Sequence, residues 1–138
     1  MSTSESANAA GRVVRVLIGD DDRRVRAALT RLLTAAGGFE VPAASGNPAD
    51  MLRLAIELRP DVAIVDLLLP DAESGLQLVS TLSALPVPVV AMSSHGGLRV
   101  AALTAGARWF VHKDGKPQVV LDAVRRAVVS NLDPLRTP

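Results

Sequence analysis

Cysteine is absent from this 138-residue chain, and aromatic residues make up only 2% of it. Without cysteine, disulfide bonds and thiolate metal sites are excluded. Two phenylalanines and one tryptophan are too few to form a platform on which the bases of single-stranded nucleic acid could stack. Because hydrophobic residues still reach 49% of the chain, the core must consist of valine, leucine, isoleucine and alanine.

Strong net charge and long apolar runs are also missing. The formal net charge is +1, so the chain lacks the basic field of a domain that binds DNA by itself. No apolar run reaches the roughly 18 residues of a membrane span, and the polar start of the chain has no feature of a secretion signal. We therefore expect a cytoplasmic protein without membrane contact, consisting of one domain and a disordered tail over residues 1–12.

Apolar strands alternate with amphipathic helices along residues 13–130. Strands are predicted over 13–19, 39–45, 61–66, 87–93 and 108–112, and helices over 23–35, 48–58, 75–85, 98–105 and 118–130. A proline in the second strand predicts that this strand lies at a sheet edge. The alternation predicts a flavodoxin-like (βα)5 fold, a doubly wound parallel sheet of strand order 2-1-3-4-5 in a three-layer α/β/α arrangement.

Polar residues follow four of the predicted strands. They are Asp20, Asp21 and Asp22 after the first strand, Asp66 at the end of the third, Ser93 and Ser94 at the end of the fourth, and Lys113 and Asp114 after the fifth. Parallel strands end at one edge of the sheet, and ligands bind at that edge in open α/β folds. Clustered carboxylates repel one another, and Mg²⁺ would neutralise them. We expect Asp66 at the mouth of the core rather than inside it.

Four separated motifs, VLIGDDD, DVAIVDLLLP, VVAMSS and AGARWFVHKDG, resemble the response-regulator receiver domain of two-component signalling. The resemblance covers residues 13–130, and the Lys-Asp pair is similar to the NarL/LuxR-type subgroup. It implies phosphoryl transfer from a sensor histidine kinase with Mg²⁺, and a homodimer on phosphorylation. It also implies DNA binding through a C-terminal helix-turn-helix domain outside this chain, with residues 131–138 as a linker or cut end toward it.

The resemblance further implies a role for each matched residue. Asp66 is the implied phosphoacceptor. The implied metal ligands are Asp20, Asp21, Asp66 and the backbone carbonyl of Leu68, with Asp20 acting largely through water. Ser93 and Lys113 would contact the phosphoryl group, and Phe110 would be the aromatic switch that turns inward when Ser93 moves.

Two positions depart from the family pattern. Gly75 follows Asp66 by nine residues rather than the usual eight, which predicts a loop one residue longer beside the phosphoacceptor. Lys113 is followed by aspartate instead of proline. Since a cis bond before a non-proline residue costs about 2.5–4 kcal/mol, we expect the Lys113–Asp114 peptide bond to be trans.

Other readings of the same residues stay open. An aspartyl-phosphate phosphatase of the haloacid dehalogenase type would carry a second acid where Leu68 stands, and a nucleotide or flavin site would need a glycine-rich or hydroxyl-rich loop after the first strand, so the residues present argue against both the phosphatase and the nucleotide or flavin site. A stand-alone receiver, or an atypical one that works without phosphate through protein–protein interaction, also fits the motifs. Asp22 is read as a helix cap, the basic run RRVR as a solvated helix face, and His95 and His112 as structural or surface residues.

Overall fold

The structure, a computed structural model, describes residues 12–132. The strands are β1 (Val14–Gly19), β2 (Phe39–Ser45), β3 (Val62–Asp66), β4 (Val89–Ser93) and β5 (Trp109–His112). The helices are α1 (Arg23–Ala36), α2 (Pro48–Leu58), α3 (Ala72–Ala84), α4 (Arg99–Ala105) and α5 (Pro117–Leu132), and a 3₁₀ turn, Gly96–Leu98, precedes α4. The expected tail and linker fall largely on residues 1–11 and 133–138, which lie outside the described residues.

The five strands form one parallel sheet in the order β2-β1-β3-β4-β5, with helices on both faces. This confirms the predicted flavodoxin-like fold. In the register, Gly19 of β1 lies opposite Val65 of β3, and Asp66 lies opposite Met92 of β4. The residues that directly follow β1 and end β3 are therefore neighbours at the carboxyl edge of the sheet.

Two hydrophobic clusters fill the space between the sheet and its helices. Leu33 of α1 and Val124 of α5 pack on one face with Ile64 of β3. The helices α2, α3 and α4 pack on the other face, where Val79 of α3 meets Val65 of β3. Because successive strand residues point to opposite faces and both faces are covered, β3 is buried along its whole length.

The edge position predicted for β2 is confirmed, since this strand pairs only with β1. Its proline, Pro42, is exposed, and an edge strand tolerates proline because one side of the strand has no ladder hydrogen bonds to lose. The strand β4 begins two residues later than predicted. The Val87 amide donates to the Leu82 carbonyl of α3 at 2.8 Å, so Val87 completes the helix end instead of joining the sheet.

The predicted start of the third helix at Gly75 is wrong, because α3 begins at Ala72. The carboxylate of Asp71 accepts a hydrogen bond from the Ser74 amide at 2.8 Å, which is an N-cap that starts the helix one turn earlier. The segment read as an extended loop is thus the first helical turn. In that turn a Cβ atom on Gly75 would lie 1.9 Å from the Leu67 carbonyl oxygen, so α3 packs directly on the backbone that follows β3.

The other helix ends follow the sequence signals. Asp22 caps α1 and Asn47 caps α2, each through its side-chain oxygen. Gly37 and Gly106 end α1 and α4 with φ angles of 80° and 120°, a backbone region that favours glycine. The last helix extends to Leu132, two residues past the predicted end at 130. Among residues 12–132, the structure contains no helix with the length and apolar character of a membrane span.

Candidate functional site

Three carboxylates from neighbouring strand ends meet at the carboxyl edge of the sheet. Asp20, Asp21 and Asp66 each place one oxygen so that these atoms lie within 4.8 Å of one another. Asp20 and Asp21 come directly after β1, and Asp66 is the last residue of β3, the strand paired with β1. The Asp20 amide donates to the Ser45 carbonyl of β2 at 3.0 Å, which holds the start of the acidic loop against the sheet.

Asp66 is more deeply buried than we expected from the sequence. Its exposed fraction is 3%, and that of Asp20 is 0%. The expectation that Asp66 stands at the mouth of the core is wrong, because the chain does not leave the core after β3. Leu67 and Leu69 are themselves fully buried, so the loop before α3 covers the strand end. Asp21, in contrast, is exposed and faces the opening of the site.

Lys113 supplies the positive charge of the site. Its Nζ lies 2.9 Å from Asp20 Oδ2 and 3.2 Å from Asp66 Oδ2. The Lys113 amide donates to the Ser93 carbonyl at 3.1 Å, so the pairing of β5 with β4 extends as far as Lys113 and holds its backbone beside Ser93. One ammonium thus faces two buried carboxylates, and Asp21 adds a third acidic group beside them.

The pKa of Asp66 lies above its ordinary value, mainly because burial disfavours the charged form and further because of the charge of Asp20. The Leu68 amide and Lys113 oppose this increase but do not cancel it. Burial by itself lowers the pKa of Lys113, but the contacts with Asp20 and Asp66 raise it overall, so this residue stays a cation. The cluster therefore holds more negative charge than Lys113 neutralises.

The oxygens of this cluster suit a hard divalent cation. Asp20 Oδ1 accepts from the Asp22 amide at 2.9 Å, and Asp66 Oδ1 accepts from the Leu68 amide at 3.2 Å. The buried Asp20 Oδ2 has no aligned hydrogen bond, although Lys113 Nζ lies nearby. An uncompensated set of converging carboxylate oxygens is the donor set that Mg²⁺ prefers.

Ser93 and Phe110 occupy the two strands beyond Asp66. Ser93 ends β4, is fully buried, and accepts a hydrogen bond from the His95 amide through Oγ at 2.9 Å. The Phe110 ring is buried in the cluster beneath α3 and α4 and contacts His112 edge to face, with 5.4 Å between ring centres. The ring is already turned into the core here, so the inward movement implied by the resemblance would not start from an exposed ring.

Leu68 and the peptide bond after Lys113 are the remaining predicted features of the site. Leu68 follows Asp66 by two positions and contacts it through the backbone amide; the role of its carbonyl stays a prediction. The described cis peptide bonds precede Pro70 and Pro86, so the peptide bond after Lys113 is trans, as expected.

Sequence reasoning missed Arg26. The run RRVR predicts a solvated helix face, but Arg26 Nη1 donates to the Asp20 carbonyl at 2.6 Å and Arg26 is only partly exposed. No local signal in the sequence indicates this contact, because the guanidinium lies in a space left by Gly46, a residue distant in the chain.

The chain is similar to known proteins over most of its length. The family model of the response regulator receiver domain matches residues 16–125. The transcriptional regulatory protein PrrA of Mycobacterium tuberculosis is 40% identical over 116 residues, which cover 81% of this chain and 47% of PrrA. Protein-glutamate methylesterase/protein-glutamine glutaminase 5 of Myxococcus xanthus is 40% identical over 105 residues, or 72% of this chain and 30% of that protein.

A solved structure agrees with these matches. The signal receiver domain of NarL from Mycobacterium tuberculosis superimposes with a TM-score of 0.76 at 30% identity, covering 84% of this chain and 96% of that domain. The chain spans about a third of the length of the methylesterase relatives and about half of PrrA. The family match extends over most of the chain and includes all four strand-end motifs. The chain therefore belongs to the response regulator receiver domain family.

Proposed function

We propose that this domain is a switch controlled by phosphorylation of Asp66 by a sensor histidine kinase. One observation carries the proposal: the Asp66 carboxylate, at the end of β3, lies beside the buried acid Asp20 and shares the ammonium of Lys113 with it. A carboxylate in such a place can act as a nucleophile toward phosphorus. The new bond joins an Asp66 oxygen to phosphorus, and the bond from phosphorus to the kinase imidazole breaks.

Lys113 has a distinct task in this reaction. Because its pKa is raised overall by Asp20 and Asp66, the ammonium is present when the phosphoryl group arrives. Phosphoryl transfer depends mostly on positioning and on neutralising charge at the phosphoryl oxygens. We infer that Lys113 exchanges part of its contact with Asp66 for a phosphoryl oxygen while it keeps its contact with Asp20.

The acidic cluster would hold Mg²⁺. The ligands would be the carboxylates of Asp20, Asp21 and Asp66 and the carbonyl of Leu68, with Asp20 acting largely through water. When bound, the ion supplies further positive charge for the phosphoryl oxygens. The raised pKa of Asp66 supports a cation at this place, since burial and the neighbouring charge of Asp20 outweigh the compensation that Lys113 provides.

Ser93 and Phe110 would convert the modification into a change of shape. A phosphoryl group brings a charge of about −1.5 to −2 and new acceptor oxygens, which would recruit the Ser93 hydroxyl. That movement breaks the hydrogen bond that the His95 amide donates to Ser93 Oγ. His95 is the residue that precedes the 3₁₀ turn before α4. Gly96 and Gly97 in this turn have no side chain to resist its rearrangement, and Phe110 packs next to α4.

We further propose that the output is transcriptional control through a C-terminal DNA-binding domain that follows residues 13–130 by a linker. The Lys113–Asp114 pair and the likeness to the NarL receiver domain support this output, as does PrrA, of which the chain spans about half. A phosphorylated domain would form a homodimer and so pair the attached domains. The methylesterase relative of Myxococcus xanthus matches at the same 40% identity as PrrA, so a different attached output, or none, is the alternative.

Treatment with acetyl phosphate and MgCl₂, read by intact mass, tests the phosphoacceptor. We expect the parent domain to gain the mass of one phosphoryl group, D66N to gain none, and the addition to vanish when EDTA replaces MgCl₂. D122N, which changes an exposed acid on α5, is the matched control and should be modified like the parent. An unmodified parent, or equal modification of D66N, would favour a receiver that works without phosphate.

A further inference from the structure

Arg26 connects helix α1 to the backbone of the acidic loop. Its Nη1 donates to the carbonyl oxygen of Asp20 at 2.6 Å, and the side chain is only partly exposed. The other arginines of α1, Arg23, Arg24 and Arg31, are exposed. Arg26 makes no ion pair with any carboxylate in the described part of the chain, so its contact is with a peptide group rather than with the acids of the cluster.

The guanidinium lies in a space that exists because residue 46 is glycine. A Cβ atom on Gly46 would lie 2.8 Å from Arg26 Nη1, 3.2 Å from the Asp21 Cα and 3.4 Å from the Asp20 carbonyl oxygen. The backbone of Gly46 does not have a positive φ angle. The conformation therefore does not require glycine here, and the missing side chain makes room for the guanidinium beside the acidic loop.

The peptide groups around Asp20 are held from both sides. The Asp20 amide donates to Ser45 of β2 at 3.0 Å, and Arg26 binds the Asp20 carbonyl. That carbonyl belongs to the peptide bond that joins Asp20 to Asp21, so its orientation determines where the exposed Asp21 carboxylate stands relative to Asp66. A planar guanidinium fixes the direction of such a carbonyl more closely than a single ammonium does.

We propose that Arg26 is a positioning residue that holds the Asp20–Asp21 peptide in the orientation required to bind a divalent cation, and that Gly46 provides the space for it. This inference rests on the proposed Mg²⁺ site. Arg26 does not touch the ion; it acts through the peptide that carries two of the ligands. Its positive charge alone would weaken cation binding, so a positioning role and a purely electrostatic role predict opposite effects when the charge is removed.

Isothermal titration of MgCl₂ into R26Q, R26K and R23Q tests the proposal. R26Q should raise the Mg²⁺ dissociation constant by about threefold to tenfold, the scale of one lost hydrogen bond. R26K should fall between R26Q and the parent, because one ammonium can still donate to the Asp20 carbonyl. R23Q removes the same charge from an exposed position of α1 and should match the parent.

G46A provides a second variant. Its methyl group would displace the guanidinium without removing the charge, and it would also lie 3.2 Å from the Asp21 Cα. Mg²⁺ binding should therefore weaken in G46A at least as much as in R26Q, and adding R26Q to G46A should cause little further loss, because the contact of Arg26 is already broken. Urea unfolding in EDTA then separates this effect from stability. A structural role alone would change the unfolding midpoint and leave the Mg²⁺ affinity of the folded protein unchanged.

The outcomes distinguish this inference from the function on which it rests. If the parent binds Mg²⁺ and R26Q binds it equally well or more tightly, the positioning role is wrong while the metal site stands. If the parent and D21N both show no Mg²⁺ binding, the proposed metal site itself fails, and this inference fails with it.

Discussion

Lys113 Nζ lies 2.9 Å from Asp20 Oδ2, although the two residues follow strands that do not pair with each other. β3 and β4 separate β1 from β5 in the sheet, and the lysine side chain passes over both strand ends. Asp66, at the end of β3, lies under this span and contacts the same ammonium at 3.2 Å. A single side chain thus ties the end of β5 to two buried acids.

Replacing Lys113 should destabilise the domain in the absence of metal. In K113M, Asp20 and Asp66 would face each other without a cation, and the free energy of unfolding should fall by roughly 2–4 kcal/mol, since Lys113 is partly exposed and a fully buried pair would cost more. MgCl₂ should recover part of this loss. Urea unfolding in EDTA measures the change, and K116M, at an exposed lysine three residues on, is the control. Equal stability of K113M and K116M would contradict the prediction.

Ionisation of Asp66 should make the metal-free domain less stable as the pH rises. Because burial and the charge of Asp20 raise its pKa in the folded state, the folded domain holds this proton more tightly than the unfolded chain does. The stability from this group is therefore fully present below the ordinary pKa of 3.8 and is lost as the pH rises through the raised value.

The variant D66N cannot ionise, so it should gain stability over the parent as the pH increases from 3.8 to neutrality in EDTA. Urea unfolding across this range measures the difference, and D122N should follow the parent. Parallel pH profiles for D66N and the parent would show that the folded state does not raise the pKa of Asp66.

Gly75→Ala should destabilise the fold even though alanine is the better helix former. Alanine gains about 1 kcal/mol over glycine inside a helix, but its Cβ would lie 1.9 Å from the Leu67 carbonyl oxygen, which cannot yield without moving the loop after β3. We expect a net loss of about 2 kcal/mol and weaker Mg²⁺ binding, because Leu68 moves with Leu67. G97A, where a Cβ would meet no atom within 4 Å, should be nearly neutral in urea unfolding. A stable G75A with parental Mg²⁺ affinity would refute this account.

Ser93→Ala should impair the response to phosphorylation more than metal binding. Ser93 Oγ accepts a hydrogen bond from the His95 amide and does not belong to the acidic cluster of Asp20, Asp21 and Asp66. The Mg²⁺ affinity of S93A should therefore stay close to that of the parent. The fluorescence change of Trp109, the single tryptophan, on addition of beryllofluoride and MgCl₂ should be reduced. S94A, at the exposed neighbour, is the control. Equal loss of both readouts in S93A would indicate that Ser93 is only structural.

Beryllofluoride with MgCl₂ should convert the domain to a dimer, seen as a doubled mass in light scattering, and D66N should remain a monomer. Two faces present apolar surface for this contact. Val100 on α4 is 73% exposed, and a cavity of about 860 Å³ between α1 and the start of α5 is lined by Val25 and Leu32 among others. V100E and V25E distinguish the two faces. A parent that stays monomeric with beryllofluoride would refute the dimer.

Much of the fold could be predicted because its signals are local. Asn47 before Pro48 marked the start of α2, and Gly37 and Gly106 marked the ends of α1 and α4, where the backbone takes a positive φ angle. The missed start of α3 was a local signal too. An aspartate three residues before a serine, as in Asp71 and Ser74, indicates an N-cap, whereas the spacing from Asp66 to Gly75 predicts a longer loop, and the cap decides the structure.

The burial of Asp66 and the contact of Arg26 could not be predicted in the same way. Whether a carboxylate at a strand end is exposed depends on the loop that follows, and here Leu67 and Leu69 continue the core beyond β3. Arg26 finds the Asp20 carbonyl only because Gly46, on another turn, leaves a space. The burial of Asp66 depends on how Leu67 and Leu69 pack against other elements, and the contact of Arg26 depends on Gly46, a residue distant in the chain.

The sequence by itself determined the order of strands and helices, the sheet edge at which acids, hydroxyls and an ammonium collect, and the family, because periodicity, caps and strand-end motifs are properties of neighbouring residues. Only the tertiary structure decided that one ammonium serves two buried carboxylates, and that an arginine of α1 holds the peptide between Asp20 and Asp21. Burial and charge compensation are sums over groups from several strands and helices, so they exist only once those elements have packed together.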